Sequence, residues 1–183
     1  MRIIAGKFRG RKLAQSSRLK SLRPTTDKNR ESLFNILFSR GFKFENAKIL
    51  DLCCGSGAIA FEALSRGAKS AILVDIDYNH LDLVRKNCEI LGVQDQVETI
   101  CLDVKKLPQN EVFFDLIFID PPYEQSVLPF IENLLKKNWI QKNSLLVAEF
   151  EAKPDSFSDE LNLLDLRRYG KSFFAFLELK QPQ

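Results

Sequence analysis

A chain of 183 residues and 21.0 kDa, 45% apolar and 28% charged, is long enough for one α/β domain, too short for two of ordinary size, and too apolar for wholesale disorder. No apolar run reaches the roughly 18 residues of a membrane helix, and no apolar core follows the basic N-terminus as in a signal peptide, so a cytoplasmic protein is expected. The net charge of +3 conceals an asymmetry: residues 1–26 carry eight basic groups and no acid, the rest 19 basic and 24 acidic residues. The eight are Arg2, Lys7, Arg9, Arg11, Lys12, Arg18, Lys20 and Arg23, and they read either as a contact for a polyanion or as a solvated tail.

In chain order, Arg2 to Leu13 alternates in short stretches broken by Gly6 and Gly10, which predicts a strand pair or hairpin. A polar, basic connection follows. Thr26 is a natural N-cap for a helix running to Ser39 or Arg40, with Asp27 in its first turn, Leu33, Phe34, Leu37 and Phe38 as its apolar stripe, and Gly41 as its stop. From Lys48 short apolar runs alternate with helical periodicity, as in a mostly parallel sheet covered on both faces. Strands are predicted near 48–52, 71–75, 97–102, 115–119 and 144–150, and helices over 57–66, 78–91 and 126–137, with 103–114 mostly irregular. After Pro154 comes a short helical or irregular piece, then strands near 161–168 and 173–179 joined by a turn at Tyr169 to Ser172. A basic extension over residues 1–25 and an α/β domain over 26–183 are expected.

Asp51 to Gly57 ends the first core strand and opens a helix, and Gly55 and Gly57 permit a tight turn that exposes backbone N–H groups to a ligand. Gly55, Gly57 and Ala60 also fit a dinucleotide fingerprint, with Asp75 twenty residues past Gly55 as ribose ligand. Asp51 argues against a dinucleotide, because its carboxylate repels a pyrophosphate but can balance an α-ammonium group. S-adenosylmethionine has that ammonium, a sulfonium and no phosphate. On this reading Asp51, Cys53, Gly55, Ser56 and Gly57 line the donor loop, Asp75 takes the ribose hydroxyls, and Asp103 accepts from the adenine amino group. Val104 and Leu102 flank the ring. Each aspartate alone is also an ordinary strand-end or capping residue. Four in sequence, Asp51, Asp75, Asp103 and Asp120, favour the donor site.

Asp120-Pro121-Pro122-Tyr123 follows the buried run Leu116 to Ile119, at the strand end where open α/β sheets bind ligands. Two prolines there also simply stop a ladder. Read with the donor loop, Asp120 and the Pro121 carbonyl can accept the two hydrogens of an exocyclic amine and aim its lone pair at a methyl group. Tyr123 can stack on the base, which for such contacts is worth about 1–3 kcal/mol. A base inside a helix cannot reach this geometry, so the target is single-stranded, looped or flipped out. The basic N-terminus can hold phosphates around it, with Phe8 either stacking on a base or packing in the core.

Cys53, Cys54, Cys88 and Cys101 lack CxxC spacing and read as reduced thiols, and with one histidine in the chain no metal site is expected. His80, on an amphipathic stretch, reads as surface packing rather than catalysis.

Arg2 to Gly6, Arg9 to Leu13, Leu22 to Asp27, Arg30 to Asn35, Gly55 to Ala58, Glu62 to Ala68 and Asp120 to Tyr123 together closely resemble the bacterial RsmD-type 16S rRNA guanine-N2 methyltransferases. The resemblance spans nearly the whole chain in consistent order. It implies a class I S-adenosylmethionine-dependent methyltransferase fold, Rossmann-like, with a mostly parallel seven-stranded sheet and an antiparallel last strand. It further implies the donor pocket given above and a target guanine of 16S rRNA in an assembling small ribosomal subunit. Asp120, Pro121 and Tyr123 are the expected catalytic set, and a monomer acting without metal is expected. Arg23, Pro24 and Thr25 would lie beside donor and target. Cys53-Cys54 replaces a Phe-Ala common in the family, and Pro154 suggests that the helix usual between Glu149 and Leu161 is reduced. Adenine-N6 methylation of DNA, a non-catalytic RNA-binding assembly factor on the same scaffold, and a nicotinamide enzyme are the alternatives.

Overall fold

The strands form where the apolar runs lie. A computed structural model describes residues 1–15, 26–122, 124–152 and 154–181, and in it β1 (Lys48–Leu52), β2 (Ser70–Asp75), β3 (Val97–Cys101), β4 (Leu116–Ile119) and β5 (Leu145–Phe150) run parallel. β6 (Leu161–Tyr169) and β7 (Ser172–Leu179) complete a seven-stranded sheet of order β3-β2-β1-β4-β5-β7-β6, with β7 antiparallel to both neighbours. Tyr169 pairs with Ser172 across a two-residue turn whose Gly170 has φ +63°.

Alternation along each strand sends side chains to two separate cores. Ile49, Leu73, Leu116, Phe118 and Val147 pack under α1 (Asp27–Ser39), α2 (Ala58–Ser65) and α3 (Tyr78–Leu91); Leu50, Leu52, Val74, Ile117, Ile119 and Leu146 pack under α4 (Leu128–Lys136) and Trp139. Covered on both faces, β1, β2, β4 and β5 read as apolar runs and were legible as such, while β3 and β6, at the sheet edges, are only partly buried and carry polar residues. No helix among the described residues is long and apolar enough to cross a membrane.

Thr26 caps α1 as expected, its Oγ1 accepting from Asn29 N at 3.2 Å. The buried stripe, however, is Arg30, Leu33, Phe34 and Leu37, and Phe38 is 74% exposed. One residue past Leu37 is about 100° further round the helix, off the face that meets the sheet. The segment 103–114 holds a single short 3-10 turn at Val104–Lys106, and the described residues between Glu151 and Glu160 form turns and bends without a helix.

Of the expected strand pair or hairpin, the described residues form one antiparallel bridge, between Arg2 and Lys12, and the chain between them folds into successive turns at Gly6 and Gly10, each with φ +81°. Docking explains the turns. Lys7 N donates to Ser65 O at 2.7 Å, Phe8 N to Ser65 Oγ at 2.9 Å, and Ile4 N and Ala5 N to the two carboxylate oxygens of Glu62 at 2.8 and 3.0 Å. A Cβ on Gly6 would lie 1.9 Å from Ser65 O, so only glycine permits this approach to α2. Ile3, Phe8 and Leu13 are buried in the same core as α2, which settles Phe8 as a packing residue.

Candidate active site at the carboxyl edge of the sheet

From β1 the chain steps outward through β2 to β3, then returns to place β4 on the other side of β1, so a topological switch point lies between β1 and β4. Crevices at such points are where open α/β sheets hold ligands. The loop after β1 and the tetrapeptide after β4 both open there, tied together by Asp120 N donating to Leu52 O at 3.3 Å.

The loop turns back over the sheet with left-handed backbone at Cys53 (φ +57°), Gly55 (+53°) and Gly57 (+73°). Gly57 has a reason beyond ligand approach: a Cβ there would stand 2.7 Å from Leu73 Cδ2 and 2.9 Å from Phe61 Cε2. Burial and the surrounding aspartates push the Cys53 and Cys54 thiols far up, so neither supplies a thiolate at neutral pH. Ser56 is half-buried, its hydroxyl 3.9 Å from Met1 Sδ and its carbonyl accepting from Asn87 Nδ2 at 3.4 Å. The buried Asn87 also accepts Ala14 N at 2.7 Å and so bridges the Asp51–Gly57 loop to the N-terminal segment.

Asp51 is buried and accepts Ala60 N at 3.2 Å; burial raises its carboxyl well above the usual range, and the Asp75 charge adds to this. Asp75 is buried as well, with Oδ2 accepting Gly55 N and Oδ1 accepting Asp77 N, both at 2.9 Å. Burial works to raise its pKa, but His80 and the two amides outweigh that and hold it below the ordinary value. Asp103 is half-buried and accepts Lys105 N at 3.0 Å, while the Val104 side chain points into the core shared with α4. Leu102 is half-buried, and the apolar surface beside Asp75 is Ile76, 69% exposed.

Asp120 stands at the crevice, half-buried, with Pro121 buried and Pro122 exposed after it. Burial raises its pKa well above the usual carboxylate range, and repulsion from Glu149 and Asp51 pushes it further. Glu149 is 1% exposed and one rung beyond the last paired residues of β4 and β5, Ile119 and Ala148. Alternation puts Asp51, Asp75, Asp120 and Glu149 on the sheet face that carries α1, α2 and α3. Glu149 and Ile76 were missed in the sequence; the signal for Glu149 was a charge interrupting the run Leu145 to Phe150. Tyr123 lies outside the described residues.

Arg2, Lys7, Arg9, Arg11 and Lys12 are exposed on the docked N-terminal segment. Lys7 Nζ lies 5.2 Å above the Phe8 ring, and Arg11 donates to Ile90 O at 3.0 Å. Arg18, Lys20, Arg23, Pro24 and Thr25 fall outside the described residues. His80, expected to pack on the surface, instead contacts Asp75 at 3.1 Å because the first turn of α3 returns over the end of β2. All four cysteines are free, and among the described residues no group of three or more metal-binding side chains comes together.

Residues 1–178 match the family described as Conserved hypothetical protein 95. The ribosomal RNA small subunit methyltransferase D of Haemophilus influenzae is 39% identical over 160 residues, covering 82% of this chain and 79% of that protein. The protein of the same name from Escherichia coli strain K12 is 36% identical over 154 residues, covering 84% and 76%. Among solved structures, the E. coli protein described as "Putative methyltransferase yhhF" superposes with a TM-score of 0.83 at 28% identity, over 98% of both chains. The sheet order, the crevice loops and these relatives agree, and the chain belongs to the RsmD-type family.

Proposed function

We propose that this protein transfers a methyl group from S-adenosylmethionine to the N2 amine of a guanine in the 16S rRNA of an assembling small ribosomal subunit. The observation that carries the proposal is the placement of Asp120 and Pro121 across the switch point from the Asp51–Gly57 loop. Relatives named ribosomal RNA small subunit methyltransferase D support the rRNA substrate, and the resemblance of the motifs supports guanine N2.

The crevice residues suit this donor. A row of carboxylates withdrawn from water favours a ligand with an ammonium and a sulfonium over one with a pyrophosphate. Asp51 faces the ammonium, the loop backbone from Gly55 to Gly57, its two glycine amides already bonded to Asp75 and Cys54 O, packs against the amino-acid end, Asp75 accepts the ribose hydroxyls, and Asp103 meets the adenine amino group. Ile76, with Leu102 and the backbone at Val104, supplies walls for the adenine ring. The bound donor brings an electrophilic methyl on a leaving sulfur that is already charged.

Asp120 and the Pro121 carbonyl accept the two N2 hydrogens, fix the amine, and leave its lone pair directed at the methyl; as the N–C bond forms the C–S bond breaks, the sulfur departs as a neutral thioether, and the amine gives up one proton to Asp120 or water. Proline has no N–H to compete for those acceptors. Tyr123 stacks on the extruded base. Residues 1–25 hold the RNA backbone, with Arg2, Lys7, Arg9, Arg11, Lys12, Arg18, Lys20 and Arg23 on phosphates, while 26–183 form the catalytic body. Radiolabelled donor incubated with small subunits that lack the modification tests the proposal: incorporation into 16S rRNA is expected, and none with folded protein would overturn it.

A further inference from the structure

The chain's single histidine sits against the donor-site carboxylate. His80 Nδ1 lies 3.1 Å from Asp75 Oδ1, and Nε2 lies 3.7 Å from Asp77 Oδ2. The side chain is 13% exposed, yet neither buried ring nitrogen has an aligned hydrogen-bond partner among the described residues. Nδ1 is thus within hydrogen-bond distance of Asp75 Oδ1, with the ring turned off the line of a straight bond.

Asp75 has limited room for more partners. An ionised carboxylate offers about four lone-pair positions. Gly55 N occupies one on Oδ2, Asp77 N one on Oδ1, and the imidazole crowds the remainder of Oδ1. A ribose diol that uses both hydroxyls needs two.

We propose that His80, when protonated, takes acceptor space on Asp75 that the donor's ribose hydroxyls require, so that a proton on His80 and the donor compete for one carboxylate. The inference rests on the donor reading given above and makes His80 a positioning residue that acts through Asp75.

The sign follows from which groups face the ring. Contact with the Asp75 carboxylate raises the His80 pKa, partial burial opposes the rise, and the charges of Asp75 and Asp77 add to it. The amides of the first turn of α3 disfavour the cation. On the same helix the Arg85 guanidinium is engaged by the Tyr78 ring at 4.8 Å and Thr99 Oγ1 at 3.2 Å, and beyond the strand end the Cys101 thiol reaches Ile76 O at 3.6 Å. Loss of the His80 proton leaves Asp75 ionised, because two backbone amides still hold it. Donor affinity therefore rises as pH climbs through the His80 pKa, and by reciprocity donor binding lowers that pKa.

A chain with one histidine makes the test direct. The imidazole is titrated by NMR on the full-length protein from about pH 5 to pH 8, the range over which histidine changes charge, with and without S-adenosylhomocysteine. Calorimetry gives the affinity for the same probe across that range in wild type, His80→Gln and His80→Ala. Asp51 and Asp120 supply a pH-dependent background that all three proteins share. The proposal predicts that the titration midpoint falls when the probe binds, and that wild-type affinity gains about three- to tenfold more than either variant's across the range. A midpoint that stays or rises, or one profile common to all three proteins, overturns the competition and leaves the donor reading intact. Absence of S-adenosylhomocysteine binding at every pH overturns both.

Discussion

Glu62 of α2 and the carboxylates at the sheet's carboxyl edge are all withdrawn from water, and they differ in how fully they are engaged. Glu62 of α2 is wholly buried and saturated: it accepts from Ile4 N and Ala5 N, pairs with Arg66 at 3.0 Å, and lies 3.7 Å from Arg30 Nε. Arg30, also wholly buried, pairs in turn with Asp27 at 3.0 Å. At the sheet's carboxyl edge Asp51 receives one amide, at 3.2 Å, and burial drives its pKa up. Asp120 is raised by burial and by its acidic neighbours. A carboxylate whose acceptor sites are filled holds the architecture together; one with capacity to spare costs stability and stands where a cationic ligand or an amine can be received.

The contrast breaks most sharply at Asp120. Asp120→Ala should lower methyl transfer by about 100-fold or more while binding of S-adenosylhomocysteine and RNA largely survives, since only the developing interactions at the amine are lost. Steady-state kinetics beside calorimetry and RNA titration would show this, and a parallel collapse of RNA binding would mean that Asp120 is structural. Glu62→Gln should act in the opposite way. Removing half of a buried ion pair costs about 3–5 kcal/mol, so denaturant midpoints fall steeply while the remaining folded protein keeps its turnover number.

Gly57→Ala comes next. Left-handed backbone and a Cβ 2.7 Å from Leu73 should together cost about 1–3 kcal/mol and weaken donor binding, measured by chemical denaturation and calorimetry. The smallest effect is a gain. Asp51→Asn should raise Tm at neutral pH by about 2–4 °C, what roughly 1 kcal/mol is worth in a chain of this size, while donor affinity drops. Because the folded-state pKa of Asp51 is raised, its ionisation destabilises the fold as pH climbs from the ordinary carboxylate range through that raised value. The gain from Asp51→Asn should therefore vanish in acid. Asp75 contributes with the other sign: its lowered folded pKa gives stability that is present above the unfolded value and lost as pH falls through the folded one.

What the sequence disclosed was set by how local each feature is. β1, β2, β4 and β5 were readable because burial on both faces turns them into apolar runs, and α3 because helical periodicity replaces that pattern after β2. Asp51, Asp75 and Asp120 were readable as acids at strand ends. Glu149 was not, because it reads as an interruption inside a strand, and only the register of β4 with β5 brings it level with Asp120. His80 fits its helix's amphipathic pattern, and its contact with Asp75 arises from the turn between β2 and α3. The N-terminal turns depend on Ser65 and Glu62, more than fifty residues away, which no local alternation reports.

The most direct test is nucleoside mass spectrometry of 16S rRNA from small subunits lacking the modification, after incubation with the protein and S-adenosylmethionine. The account predicts N2-methylguanosine, present with wild type and absent with Asp120→Ala. Appearance of N6-methyladenosine in its place, or of no methylated nucleoside with folded wild-type protein, would contradict it.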